Sequence, residues 1–170
     1  LPLRELARHP GGLLRKERLR VLDLGAGPGT SILGVLEFFS AGKHQPVLEF
    51  TALDQVGENL HLAVELFQEP GRAYPGQAGL RTIKRSISPQ MEECEGPYDI
   101  IIFSNVLNEL HAETRDPTAK RVEMVGSLLE RLLARDGAAI IIEPALRDTT
   151  RDMLMVRDGL LARGLTVYSP

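Results

Sequence analysis

Apolar and polar positions alternate between two spacings along this chain. Residues 18–24 form a short, mostly apolar run ending in a glycine cluster, the pattern of a strand buried on both faces. Residues 30–39 are apolar almost all round and predict a helix packed on a sheet. A second strand is predicted over 50–54. A second helix follows over 57–67, with Leu60, Val64 and Phe67 in register. Residues 69–79 hold two prolines and three glycines without periodicity and predict a loop. Residues 80–84 give a third, weaker strand.

The second half repeats the alternation. Residues 99–103 mark a central strand, drawn out to 98–104 by its neighbours. Asp116-Pro117 supplies an N-cap and a proline at the first helical position. Val122, Val125, Leu129 and Leu132 then recur at helical spacing, and Asp136-Gly137 is expected to close that helix with a residue at positive φ. Residues 138–143 predict a further buried strand, stopped by Pro144. Asp148 is expected to cap a helix running to about Arg163 and ended by Gly164, with residues 165–168 as a sixth strand. Such alternation demands right-handed crossovers and a doubly wound, mostly parallel α/β sheet with helices on both faces.

The chain of 170 residues suits one domain over its whole length. With 43% hydrophobic and 25% charged residues it is neither disordered nor membranous, and no apolar run reaches the roughly 20 residues of a spanning helix. A single cysteine, Cys94, excludes an intrachain disulfide and a cysteine-rich metal site, and points to a reducing, cytoplasmic setting. His9, His44, His61 and His111 are scattered, so no metal site is expected. The chain starts at Leu1 without a signal-peptide pattern, and the expectation is a piece of a longer protein.

Charge divides the chain. Residues 1–20 carry six basic and two acidic side chains, which leaves fourteen basic and twenty-one acidic ones for the rest. An acidic body does not wrap a phosphate backbone over a wide surface. Residues 1–17 are expected to form a basic helical extension with a solvated face.

The most informative stretch is Asp23-Leu24-Gly25-Ala26-Gly27-Pro28-Gly29-Thr30, which follows a strand and opens a helix. Glycines there let the chain turn sharply and let a ligand lie against main-chain atoms. The nicotinamide and flavin fingerprint needs its third glycine one residue later, and a phosphate-cradling P-loop needs a lysine that is absent. Asp23 is an anion close to the helix start, and suits a cationic ligand better than a phosphate. Asp54 ends the second strand, where a carboxylate can accept hydrogen bonds from both hydroxyls of a ribose.

Asp23-x-Gly25-x-Gly27-x-Gly29 resembles the first motif of class I methyltransferases that use S-adenosylmethionine. That resemblance implies their Rossmann-like fold and places this cofactor on the backbone of Gly25, Ala26, Gly27 and Gly29, with Asp23 near its ammonium and Asp54 on its ribose. It also implies that Gln55 and Val56 lie against the adenine, with Ser86 standing where the family often has an acid. By the same resemblance, Ser104 and Asn105 are expected to border the transferable methyl group. Glu109 and His111 are the base candidates in the segment that follows. The family usually adds a seventh, antiparallel strand, so the sheet is expected to be truncated before its last strand. Its exposed edges make a homodimer an expectation.

Three blocks are similar to the methyltransferase-like proteins of small-ribosomal-subunit assembly, known from mitochondria and with bacterial relatives. These are the glycine loop, Ser104-Asn105-Val106-Leu107-Asn108-Glu109-Leu110, and Ile142-Glu143-Pro144. The resemblance implies ribosomal RNA or the small ribosomal subunit as partner, in the cytoplasm, or in the mitochondrion of a eukaryote. Departures are Ala145, where eukaryotic members often have glycine, and an end before the family's downstream cysteines. The readings that follow are an S-adenosylmethionine-dependent methyltransferase of ribosomal RNA or a subunit component, a cofactor-holding assembly factor without catalysis, and a small-molecule methyltransferase. A nicotinamide oxidoreductase is a distant fourth, given the glycine spacing.

Overall fold

A computed structural model describes residues 2–8 and 12–167. Five parallel strands lie in the order β3-β2-β1-β4-β5: β1 (Arg18–Leu24), β2 (Val47–Asp54), β3 (Ala78–Lys84), β4 (Tyr98–Ser104) and β5 (Leu133–Ile142). The helices are α1 (Pro2–Ala7), α2 (Thr30–Ser40), α3 (Gly57–Ala73), α4 (Pro117–Leu132) and α5 (Arg147–Ala162). Alternation along β1 divides the core. Leu19 and Val21 pack with Ile32, Val35, Leu36 and Phe39 of α2 and Leu60 of α3. Leu22 and Leu24 pack with Val125, Leu128 and Leu132 of α4 and Val156 of α5. The sheet is therefore covered on both faces, as parallel sheets require.

Several expected boundaries move. β2 starts at Val47, because Glu49 lies opposite Arg20 in register and pairs with Arg18 and Arg20, so an acid in the strand is tolerated. The loop expected over residues 69–79 shrinks to the stretch between α3 and β3. α3 continues through Pro70 to Ala73, and Tyr74 then anchors its end, with its amide donating to the Pro70 carbonyl and its buried hydroxyl to the Pro46 carbonyl. The buried face of α3 uses Leu60 and Ala63, whereas Val64 is exposed.

α4 starts as expected, with the Asp116 carboxylate accepting from the Ala119 amide at 3.0 Å. It stops at Leu132, earlier than Asp136-Gly137. The strand register shifts between the Tyr98–Leu133 and Ile100–Ala138 pairs, so residues 134–137 bulge within β5. Asp136 there bonds Lys16, and Gly137 is needed because a Cβ would lie 2.9 Å from the Asp99 carbonyl oxygen; it does not adopt positive φ.

Asp148 lies in the first turn of α5, and Leu146 takes the N-cap position. Thr149 Oγ1 steadies that turn by donating to the Pro144 and Leu146 carbonyls. Gly164, at φ +89°, ends the helix as expected. Residues 165–167 form no strand: the Leu165 amide is used in a bond to the Leu160 carbonyl. Tyr168 lies outside the described residues.

In the basic N-terminal stretch Arg4, Arg8 and Arg15 are exposed, as expected of a solvated face, but its leucines among the described residues are not. Leu3, Leu13 and Leu14 are buried against α2, and a 3-10 turn covers Leu13–Arg15. Lys16 bonds Asp99 and Asp136 at 2.7 and 2.9 Å, while Arg20 donates to the Glu95 and Pro97 carbonyls. These cations tie together the amino-terminal edge of the sheet. Among the described residues no helix is long and apolar enough to cross a membrane.

Candidate functional site

The carboxyl ends of β1, β2 and β4 carry the glycine loop, residues 54–56 and residues 104–111 to one edge of the sheet. In a parallel sheet ligands bind outside that edge, beside the point where strand order reverses at β1. The glycine loop is fastened to β2, with the Gly25 and Ala26 amides both donating to the Leu53 carbonyl, at 2.8 and 3.0 Å. Gly25 has φ +72°, and a Cβ on it would lie 2.6 Å from Val106 Cγ2, so the loop passes directly under the segment after β4. Gly27 has φ +52° and nothing within 4 Å of where its Cβ would stand. The loop's middle therefore faces open space that any side chain at 27 would enter. Gly29 precedes α2 and lies against Ala63 of α3.

Asp54 shapes this loop. It is 8% exposed, and its two oxygens accept from the Gly27 and Val56 amides, each at 2.8 Å. A carboxylate has about four acceptor positions, so two remain for another donor. Asp23 is entirely buried on the strand just before the loop, and neither of its oxygens has a hydrogen-bond partner among the described residues. Burial, with the neighbouring Asp54 charge adding to it, pushes its carboxyl up to about 7.

That shift has a measurable consequence. A carboxyl neutral in the fold but ionised in the unfolded chain makes the fold less stable as pH rises. The loss begins near the unfolded value of 3.8 and is complete above about 7. Relative to the native protein, Asp23→Asn should show a flatter stability profile over that window. At pH 8 the variant should gain on the order of 2–4 kcal/mol compared with its difference at pH 4. Denaturant melts of both proteins at a series of pH values test this; parallel profiles would show that Asp23 is ionised in the fold.

The remaining sequence-derived positions divide. Gln55 and Ser86 meet across the ends of β2 and β3, with Ser86 Oγ donating to Gln55 Oε1 at 3.3 Å, and Val56 beside them is exposed. Ser104 is half-buried and Asn105 is exposed at φ +55°, its amide donating to the Ile142 carbonyl. Glu109 and His111 reach the same edge but are exposed on successive turns, and neither side chain makes a hydrogen bond among the described residues. Nothing there orients them as bases.

Two residues in the neighbourhood were given no role by sequence reasoning. Glu143 and Arg121 both bond the backbone of residues 106–110. Arg121 carried a signal: it lies four residues before Val125, on the stripe that Leu128 and Leu132 continue, so a cation occupies a core position. A separate cavity of about 740 Å³, lined by Leu3, Arg4, Leu13, Arg15, Phe38 and Lys43 among others, lies against the other end of α2 and touches none of these residues.

No protein-family profile matches the chain, and no curated protein matches it. Solved structures do. StiE O-MT aligns with 82% of the chain at TM-score 0.52 and 16% identity, and the small RNA methyltransferase HEN1 with 76% at TM-score 0.52 and 14% identity. A protein of Galdieria sulphuraria, provisionally assigned as a sarcosine dimethylglycine methyltransferase, aligns with 91% at TM-score 0.53 and 19% identity.

The fold is that of class I methyltransferases.

The chain spans 42%, 15% and 50% of the lengths of these three neighbours. Within the methyltransferase fold, the residues present fit S-adenosylmethionine. A buried carboxyl with no partner among the described residues lies just before the loop, the Gly27 position is open, and Asp54 has acceptor capacity left. Among the described residues no three His, Cys, Asp or Glu side chains are grouped to hold a metal ion.

Proposed function

We propose that this chain is an S-adenosylmethionine-binding methyltransferase domain acting on ribosomal RNA or a small-ribosomal-subunit component. The observation that carries the cofactor reading is the unpartnered Asp23 carboxylate sealed beneath a glycine loop whose centre is open. A cation brought close to this carboxyl would favour its ionised form and offset the burial that raises it, and this cofactor carries an ammonium and a sulfonium. Nicotinamide dinucleotides would instead bring a pyrophosphate, whose negative charge would press the Asp23 carboxyl further toward its neutral form.

When bound, the cofactor supplies an electrophilic methyl group. The chain's own contribution is positional. The loop from Gly25 to Gly29 supports the cofactor's amino-acid and ribose portions, Asp54 accepts from the ribose hydroxyls, and Gln55, Val56 and Ser86 flank the adenine. Ser104 and Asn105 border the reacting end. Transfer requires an in-line approach and removal of one proton, and orientation alone can supply much of the rate. Glu109 and His111 are the groups able to take that proton.

The acceptor reading rests on the resemblance of three sequence blocks to the small-subunit family. HEN1 is a small RNA methyltransferase and the Galdieria sulphuraria protein carries a small-molecule assignment, so the fold alone favours neither acceptor class. The exposed, unoriented state of Glu109 and His111 favours a second reading, an assembly factor that holds the cofactor without using it.

Calorimetry tests the first step. S-adenosylmethionine and S-adenosylhomocysteine should both bind, and NAD should not; NAD binding without a response to the adenosyl ligands would overturn the reading. Incubation with labelled cofactor and small ribosomal subunits then separates the two versions. Labelled RNA establishes the enzyme, whereas binding without label establishes the assembly factor.

A further inference from the structure

We propose that Glu143 is a positioning residue for the glycine loop, acting across the sheet through the backbone of Val106. The proposal rests on the cofactor reading above for its ligand, but its geometry belongs to the protein alone.

Glu143 immediately follows β5 and precedes Pro144. Its Oε1 accepts from two successive amides of the segment after β4, Val106 at 3.0 Å and Leu107 at 2.7 Å. The preceding amide, that of Asn105, donates to the Ile142 carbonyl at 2.8 Å. Three consecutive donors are thus held by two consecutive residues. They need holding, because Asn105 is at φ +55°, a conformation that costs free energy unless its surroundings impose it. The other oxygen of Glu143 is buried, and among the described residues these two amides are the donors its carboxylate serves.

The far side of the segment is fixed as well. Arg121, 4% exposed, reaches out of α4 and donates to the Leu110 carbonyl through Nε and to the Asn108 carbonyl through Nη2, at 2.8 and 2.6 Å. Its Nη1 bonds Asp152 of α5 at 3.0 Å. Leu107 between them is buried. An irregular stretch is thereby made stiff, and Val106 is its point of contact with the loop. Val106 Cγ2 lies so close to Gly25 that no Cβ could fit between them. The location of Val106 therefore limits how far the loop can rise, and Glu143 sets that location.

The test uses Glu143→Ala, Glu143→Gln and Val106→Ala, each compared with the native protein well below its unfolding temperature. In ligand-free protein, Glu143→Ala should speed hydrogen exchange at the Val106 and Leu107 amides by about tenfold or more. It should also shift the amide resonances of Gly25 and Ala26. Affinity for S-adenosylhomocysteine should fall about tenfold. Glu143→Gln keeps a carbonyl oxygen to accept both bonds, so it should restore the resonances and most of the affinity. Val106→Ala keeps the backbone bonds and removes the contact; it should lower affinity and move Gly25 while leaving exchange at residues 106 and 107 unchanged. Unmoved Gly25 and Ala26 resonances in Glu143→Ala, or a glutamine variant as impaired as the alanine one, would overturn the proposal. If the native protein binds no adenosyl ligand, the function reading fails, and the ligand-free resonances still decide the role of Glu143.

Discussion

Gly27→Val is expected to remove binding of S-adenosylmethionine while leaving a folded protein. Two effects act together. The branched side chain would stand in the open space over the loop's centre, where nothing lies within 4 Å of the Cβ position. It would also resist φ +52°, which costs a non-glycine residue about 1–2 kcal/mol and a β-branched one more. The strain is local to a loop at the strand ends, so the core should survive it. Calorimetry should show affinity reduced at least a hundredfold, and a thermal melt should remain cooperative. A folded variant that still binds at the native affinity would place the cofactor somewhere other than over this loop.

The second large effect is expected at Asp54. Its carboxylate accepts from the Gly27 and Val56 amides, so Asp54→Ala removes two bonds within the site before any ligand is considered. Hydrogen bonds to a charged group are worth about 1.5–3 kcal/mol each. Affinity for S-adenosylhomocysteine should therefore fall roughly ten- to a hundredfold, with the strands intact. The loop and ribose contributions can be separated with an analogue lacking the ribose hydroxyls. If Asp54 bonds the ribose, the substitution should cost less affinity toward that analogue. Equal losses for both ligands would assign Asp54 to shaping the loop alone.

The central strands and the glycine loop were legible because local chemistry decides them. Residues 18–24 have no alternative to a buried strand, and Asp116-Pro117 marks a helix start that the Ala119 amide completes. The misread places are those where distant partners override local signals. Tyr74 keeps α3 helical past Pro70 through a bond to the Pro46 carbonyl, and Lys16 holds Asp136 within a strand bulge where Asp-Gly suggests a helix end. The site divides in the same way. Asp23, Asp54 and the glycines announce themselves by motif and spacing. Glu143 and Arg121 act on backbone groups nearly forty and about a dozen positions away in sequence, and no local pattern reports that.

The bonds from Lys16 to Asp99 and Asp136 also bear on the order in which the protein is made. Of the strands, β1, β2 and β3 leave the ribosome before β4 and β5, and in the sheet they lie side by side. One long flank of β1 then stays bare until Tyr98–Ser104 emerges, since β4 is its other neighbour. Lys16 waits longer still: its second carboxylate arrives 120 residues after it. The contact that closes this edge thus joins a residue just before β1 to the last strand of the sheet, and until β4 emerges the β1 flank is open for a chaperone to cover.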